Sequence, residues 1–167
     1  MKKIFFFVAL TALFHANAQT ENCTCCTENH KAFDFWVGSW TVTKPDGSPA
    51  GKNIIEKIQD NCILRENWTS AKGAYTGTSY NFYNAKTGQW EQLWVDNQGG
   101  FLQLKGNRKG NQMILQSEIE KNKDGQPFYH RITWTKNEDG SVRQLWETVT
   151  NGKEVTIAFD GLYRKAQ

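Results

Sequence analysis

Residues 84–100 have the sequence NAKTGQWEQLWVDNQGG, which contains the unit repeated along most of the chain. A short run rich in aromatic and apolar side chains, QWEQLWV, lies between two segments that combine Asn or Asp with Gly. Gly supplies the positive φ that tight turns need, and Asn and Asp tolerate it. The stretch therefore predicts one β-strand between two tight turns.

Similar units follow one another from Trp36 almost to the C-terminus, and their spacing favours a series of antiparallel hairpins. We predict ten strands, at about 36–44, 51–59, 61–70, 74–83, 89–96, 100–106, 111–120, 127–136, 141–149 and 154–164. Closing so many strands into a barrel removes the unpaired edges of an open sheet. We therefore predict an all-β fold, an antiparallel up-and-down β-barrel of about ten strands, with a short helical turn within 27–35 that Thr27 caps. A β-sandwich is the alternative.

The N-terminus has the three parts of a cleavable secretory signal: a basic start at 1–3, an apolar run at 4–14 and the small residues of Ala16-Asn17-Ala18. The apolar run is shorter than the roughly 20 residues that span a bilayer. We expect a secreted or periplasmic protein with no stable membrane insertion after cleavage. The predicted divisions are a signal peptide at 1–18, a cysteine-rich arm at 19–32 and the barrel domain at 33–167.

Charge and cysteine content narrow the class of protein further. The chain has 20 Lys and Arg against 17 Asp and Glu, and two of the lysines lie in the predicted signal. This balance argues against a dedicated nucleic-acid binder, so we expect no nucleic-acid partner. The four cysteines are expected to form disulfides in an oxidising compartment. They are Cys23, Cys25, Cys26 and Cys62.

A disulfide from the Cys23–Cys26 cluster to Cys62 is the favoured link, and a buried free thiol at Cys62 is the alternative. The cluster also stands close to His30 in sequence. Thiolates and imidazole bind copper and zinc, so a metal site at these residues is a second alternative.

Several motifs carry a resemblance to known barrels. Gly38-Ser39-Trp40 resembles the Gly-x-Trp signature on the first strand of the calycins, the lipocalin and fatty-acid-binding barrels. The resemblance implies structural roles for Gly38 and Trp40, with a basic residue of the last strand, here Arg164, packed across Trp40. The longer patterns resemble an exported bacterial calycin-like family of unknown function, lipocalin-like or nitrobindin-like. These patterns are FDFWxGxW at 33–40, CxLxExW at 62–68, GTSxN at 77–81 and WxxxWxD at 90–96.

Side chains alternate across a strand, so turning the tryptophans inward fixes the inner face. This assignment makes a wall of Trp68, Trp94, Trp134 and Trp146. It also turns Trp36 of the first strand and Val155 and Ile157 of the last strand inward. Four polar residues interrupt the inner face: Glu66, Gln92, His130 and Gln144. A buried polar group without a partner costs about 1–3 kcal/mol, so these four need one another, trapped water or a ligand.

The sequence thus predicts an exported barrel that binds a small, largely apolar molecule, with the tryptophans as walls and the polar residues orienting the ligand. A filled barrel, with Glu66 paired to an inner Arg or to His130, is the structural alternative. An isomerase or lyase could use His130 with Glu66 as an acid–base pair. Haem ligation by His130 is another alternative. A hydrolase that uses Cys62 or Ser79 as a nucleophile beside His130 is the last. No cofactor is assigned.

Overall fold

Eleven β-strands, one short α-helix and one 3₁₀ turn make up residues 23–166, the part of the chain that this computed structural model describes. The predicted signal peptide lies outside the described residues. The helix α1 covers Glu28–Lys31 and the 3₁₀ turn covers Asp34–Trp36. The strands are β1 Gly38–Thr43, β2 Pro49–Ile58, β3 Ile63–Ser70, β4 Thr76–Asn84, β5 Gln89–Asp96, β6 Phe101–Lys109, β7 Gln112–Gln116, β8 Glu120–Lys121, β9 Pro127–Lys136, β10 Val142–Thr150 and β11 Glu154–Lys165. No helix in residues 23–166 is long and apolar enough to cross a membrane.

Ten of these strands form a closed antiparallel ring. Consecutive strands pair from β1 to β7, and β7 then pairs with β9. Strand β9 pairs with β10, β10 with β11, and β11 with β1, which closes the ring. The two-residue β8 only extends the sheet beside β9. The predicted up-and-down barrel is confirmed, and the sandwich alternative is wrong. The predicted helical turn is also confirmed: Thr27 caps α1, its hydroxyl oxygen accepting from the backbone N–H of His30 at 3.4 Å.

The turns on either side of β5 show how glycine residues end the strands. Gly88 and Gly99 have φ of +68° and +83°, the left-handed region that other residues rarely adopt. Their N–H groups donate to the carbonyl oxygens of Asn84 and Asp96 at 2.9 and 3.2 Å. Each turn reverses the chain within a few residues, which lets consecutive strands pair side by side.

The seam between β1 and β11 closes the barrel. Trp40 lies opposite Lys165, whose ammonium is 3.8 Å from the Trp40 ring centroid and donates to the carbonyl oxygen of Val37 at 2.5 Å. Gly38 has φ +135°, and a Cβ there would lie 2.2 Å from the ammonium nitrogen of Lys165. The prediction of Arg164 across Trp40 is wrong. Because residues two apart share a face, Lys165 lies on the same face of β11 as the buried Tyr163. Arg164 is on the opposite face, exposed and across from Thr41.

An aromatic plug, defined as Phe33 and Trp36, fills one end of the barrel. Both side chains are fully buried, with their rings stacked at 4.9 Å between centroids. Phe33 also meets Trp90 and Trp134 edge-on, at 5.6 and 5.2 Å. Trp36 is therefore buried as predicted but lies in the 3₁₀ turn before β1, not in the first strand.

The start of β11 departs from the predicted inner face. The β10–β11 register shifts so that Trp146 lies opposite Phe159 and Glu147 opposite Ile157, leaving Ala158 as an extra residue. This β-bulge reverses the alternation along β11. Val155 and Ile157 are consequently 52% and 60% exposed, so their predicted inward orientation is wrong.

Two disulfides use all four cysteines. Cys25 is bonded to Cys62, which confirms the predicted link, and Cys23 is bonded to Cys26. The free-thiol alternative for Cys62 is therefore wrong. The metal alternative has no thiolate left to supply, and the His30 ring nitrogen Nδ1 lies 2.7 Å from the Thr27 hydroxyl. Disulfides are typical of an oxidising compartment.

The contacts of Lys165 at the seam predict that substitutions of Lys165 and of Arg164 have different effects on stability. Replacing Lys165 with Ala should lower the free energy of unfolding by about 1 kcal/mol, because the cation–π contact and the bond to Val37 are lost. Replacing the adjacent, exposed Arg164 with Ala should change it by less than about 0.5 kcal/mol. Urea denaturation of both variants measures the difference. Equal losses would contradict the assignment of Lys165 to the seam.

Candidate functional site

A cavity of about 330 Å³ occupies the barrel beyond the plug. Trp134 contacts Phe33 and Trp36 of the plug and also lines the cavity, so it separates the filled end from the hollow end. The size lies within the range of small-molecule sites, about 300–1,000 Å³. The barrel is therefore hollow at one end.

Aromatic side chains are the most frequent kind in the cavity wall, with seven of the sixteen lining residues. The four tryptophans expected there all line it, together with three further aromatic residues. These seven residues are Trp68, Trp94, Trp134, Trp146, Tyr75, Phe159 and Tyr163. The exposed positions of Leu93 and Val95 agree with the inward orientation of Trp94 between them.

Glycines on neighbouring strands make room for these rings. A Cβ on Gly77 would lie 2.1 Å from the Trp94 ring, and one on Gly51 would lie 2.7 Å from the Trp68 ring. Since side-chain atoms cannot approach so closely, any larger residue at either glycine would push the ring toward the cavity. The glycines thus let the rings lie against the barrel wall and keep the interior open.

Glu66 lies at the centre of the polar part of the wall. Its two carboxylate oxygens accept from the Asn53 amide and the Ser79 hydroxyl, both at 2.6 Å. The side chain is buried, with 4% of its surface exposed, and it lines the cavity. Burial raises the pKa of Glu66 to about 7, although the bonds from Ser79 and Asn53 act in the opposite direction.

A hydrogen-bonded network extends from Glu66 on both sides. On one side, Asn81 donates to the Ser79 hydroxyl at 2.8 Å, and Gln92 donates to the Asn81 side-chain oxygen at 2.6 Å. On the other side, Asn53 donates to the Tyr163 hydroxyl at 3.4 Å, and Tyr163 donates to the side-chain oxygen of Gln144. The network therefore joins three of the four polar residues predicted on the inner face. They are Glu66, Gln92 and Gln144.

Asn53, Asn81 and Tyr163 were not predicted from the sequence as members of the network, and Ser79 was considered only as a nucleophile. A signal for two of them was present, because Ser79 and Asn81 stand two apart in the GTSxN motif and so share the inner face. Asn53 and Tyr163 have no such local signal. Asn53 reaches Glu66 across the β2–β3 pair, and Tyr163 reaches Gln144 across the β10–β11 pair. Only the bond between Asn53 and Tyr163 depends on closure of the barrel.

His130 lies apart from the network. Its Nδ1 accepts from the Trp146 indole N–H at 3.0 Å and lies 3.1 Å from the Thr148 hydroxyl. The half-buried ring is not part of the cavity lining, and burial lowers its pKa. Within residues 23–166, no hydrogen bond joins His130 to Glu66. The structure thus does not form the acid–base pair, nor does it bring His130 to the cavity as a haem ligand would require.

The two candidate nucleophiles are also engaged elsewhere. Cys62 is held in a disulfide, and the Ser79 hydroxyl donates to Glu66 while accepting from Asn81. In the part of the chain that the structure describes, neither side chain forms a hydrogen bond with His130. The protein is thus a closed antiparallel barrel with an aromatic cavity and a buried carboxylate network. No protein-family model matches the chain, and no curated protein matches it significantly.

The buried carboxyl predicts an unusual dependence of stability on pH. Because the pKa of Glu66 is about 7 in the folded protein and ordinarily 4.5, the folded state binds the proton more tightly over that interval. The free energy of unfolding should therefore fall as pH rises from about 4.5 to about 7, by up to about 3 kcal/mol, and then level off. Glu66→Gln should lack this contribution.

Urea denaturation across this pH range measures the effect as the difference between the wild type and Glu66→Gln. Glu56→Gln is the matched control, since Glu56 is exposed on the outer face of β2, and its profile should parallel that of the wild type. Parallel profiles for the wild type and Glu66→Gln would show that Glu66 titrates normally.

Proposed function

We propose that this protein binds a small, largely apolar molecule in the cavity of the barrel. The observation that carries the proposal is the cavity of about 330 Å³, whose lining combines aromatic rings with members of a buried polar network. Binding sites for small molecules commonly combine an apolar wall with a few convergent polar groups. A purely structural barrel would gain more stability from filling the space, because each void forfeits packing contacts.

The aromatic wall would supply most of the binding free energy. An apolar ligand gains about 25 cal/mol for each Å² removed from water, so burying about 250 Å² contributes roughly 6 kcal/mol before the entropy of association is subtracted. The proposed walls are those expected from the sequence: Trp68, Trp94, Trp134 and Trp146. Their large, rigid rings lose little conformational entropy when they order against a ligand.

The polar residues would orient the ligand. Glu66, Gln92 and Gln144 line the cavity and are held in place by the network, so their free hydrogen-bonding positions are fixed before a ligand arrives. We assign His130 a positioning role instead of direct contact. By accepting from the indole N–H of Trp146, it fixes the orientation of that ring in the wall.

The proposed setting is outside the cytoplasm. The two disulfides indicate an oxidising compartment, and the sequence of residues 1–18 has the pattern of a secretory signal. The proposed mature chain has a cysteine-rich arm at 19–32 followed by the barrel domain at 33–167. We propose that the chain belongs to the exported calycin-like family, because it forms a closed barrel and carries the motifs at 33–40, 62–68, 77–81 and 90–96.

N-phenyl-1-naphthylamine, a neutral probe that fluoresces in apolar surroundings, tests the proposed function. The wild type should enhance its fluorescence with saturation. Leu102→Trp should weaken binding at least about tenfold, because Leu102 lines the cavity and a larger ring would occupy it.

Leu93→Trp is the matched control, since Leu93 is on the outer face of the neighbouring strand and this variant should bind as the wild type does. Saturable binding that is lost only in Leu102→Trp supports the cavity. If the wild type gives no enhancement, or if Leu102→Trp binds normally, the proposed function is wrong.

A further inference from the structure

We propose that the ligand is an organic amine: a hydrophobic molecule with one protonated nitrogen that binds the Glu66 carboxylate. This inference rests on the proposed function and names the class of ligand that the cavity takes. It is carried by the charge arrangement of the interior, where a single carboxylate faces aromatic rings and has no cationic partner in the described part of the chain.

Glu66 is the only buried carboxylate in residues 23–166, and the half-buried carboxylates there are held by an ion pair or, at Glu91 and Asp96, by hydrogen bonds alone. Five ion pairs with nitrogen–oxygen distances within 4.0 Å occur in residues 23–166, and none includes Glu66. Asp34, Glu147 and Asp160 are all less buried than Glu66, yet each is paired with Lys or Arg. A carboxylate out of water needs a cation to offset its lost hydration, and a ligand can supply one.

The carboxylate also has room for further hydrogen bonds. Each oxygen of Glu66 accepts one bond from the protein, from Asn53 on β2 or Ser79 on β4, whereas an ionised carboxylate offers about four acceptor positions. A protonated amine has only donors to offer, which complements a group that only accepts. Because Glu66 lines the cavity, an ammonium inside it can reach the remaining positions.

No other charge in the cavity lining competes for this role. From the elements around Glu66, the titratable side chains that line the cavity are Tyr163 of β11, Tyr75 before β4 and Lys44 after β1. Burial raises the pKa of both tyrosines, so they stay neutral at physiological pH. Lys44 is exposed and forms no ion pair with Glu66. Glu66 is therefore the only carboxylate in the lining, so a cation beside it would meet attraction and an anion beside it would meet repulsion.

The aromatic wall favours the same class of ligand. The face of a tryptophan ring carries partial negative charge and attracts a cation within about 6 Å of its centre. Four tryptophans line this cavity together with Glu66. A hydrophobic amine uses both parts of the site, since its carbon skeleton contacts the rings while its nitrogen reaches the carboxylate.

Binding of an amine should be linked to loss of the Glu66 proton. Burial raises the pKa of Glu66 to about 7, so the carboxyl is largely protonated below that pH and must ionise to pair with an ammonium. Amine affinity should consequently rise with pH up to about 7 and reach a plateau above it. A neutral ligand should show no such dependence.

Three probes that share a 1-naphthylmethyl group test the proposal: 1-naphthylmethylamine, 1-naphthalenemethanol and the anion of 1-naphthaleneacetic acid. Isothermal titration calorimetry near pH 8 should give an affinity for the amine at least about tenfold above that for the alcohol, with the anion weakest. Below pH 7 the amine affinity of the wild type should fall by nearly tenfold for each pH unit, as expected for one linked proton. This measurement requires no mutant.

Glu66→Gln should reduce the amine-to-alcohol affinity ratio to about one and remove its pH dependence. Glu56→Gln, on the outer face of β2, should keep the ratio of the wild type. If the alcohol binds the wild type as tightly as the amine, or if the ratio survives in Glu66→Gln, the amine proposal is wrong and the cavity function stands. The same conclusion follows if N-phenyl-1-naphthylamine binds and none of the three probes does. If no probe binds at all, the proposed function fails as well.

Discussion

The pairing of β11 with β1 turns ten strands into a closed wall, and the chemistry of the interior depends on this closure. The register that sets Lys165 against Trp40 also turns Tyr163 inward, where its hydroxyl joins Asn53 to Gln144. Enclosure removes water from one side of the network, so the Glu66 carboxyl is stabilised by hydrogen bonds and not by solvent. The raised pKa of Glu66 is a consequence of that exchange.

The two ends of the barrel interior differ, because side chains fill one end and leave a cavity at the other. A ten-stranded barrel is wider than the eight-stranded ones whose side chains just fill the interior. At one end, Phe33 and Trp36 come from outside the strands and fill the space. At the other end, glycines such as Gly77 let the tryptophans lie against the wall, and the space remains a cavity. A bound ligand would there take the place that the plug occupies at the closed end.

The sequence was informative wherever the signal is local. Turns such as Asn84–Gly88 mark the strand ends, and turning the tryptophans inward correctly placed Trp94 in the cavity wall. Features that depend on the exact register between paired strands could not be predicted. The bulge at Ala158 exposes Val155 and Ile157, and the partners of Glu66 come from β2 and β4. The finding that Lys165, and not Arg164, lies over Trp40 has the same origin, because the pairing with β1 decides which side chains of β11 point inward.

A buried carboxyl without a cationic partner in the described residues faces the aromatic cavity, and its titration reports on both burial and ligand binding. Carbon-13 NMR of the Glu66 side-chain carboxyl, assigned by its loss in Glu66→Gln, follows the titration of that group directly. We expect a pKa of about 7 in the free protein and a marked decrease when 1-naphthylmethylamine is bound. A pKa at the ordinary 4.5 that the amine does not change would contradict the account.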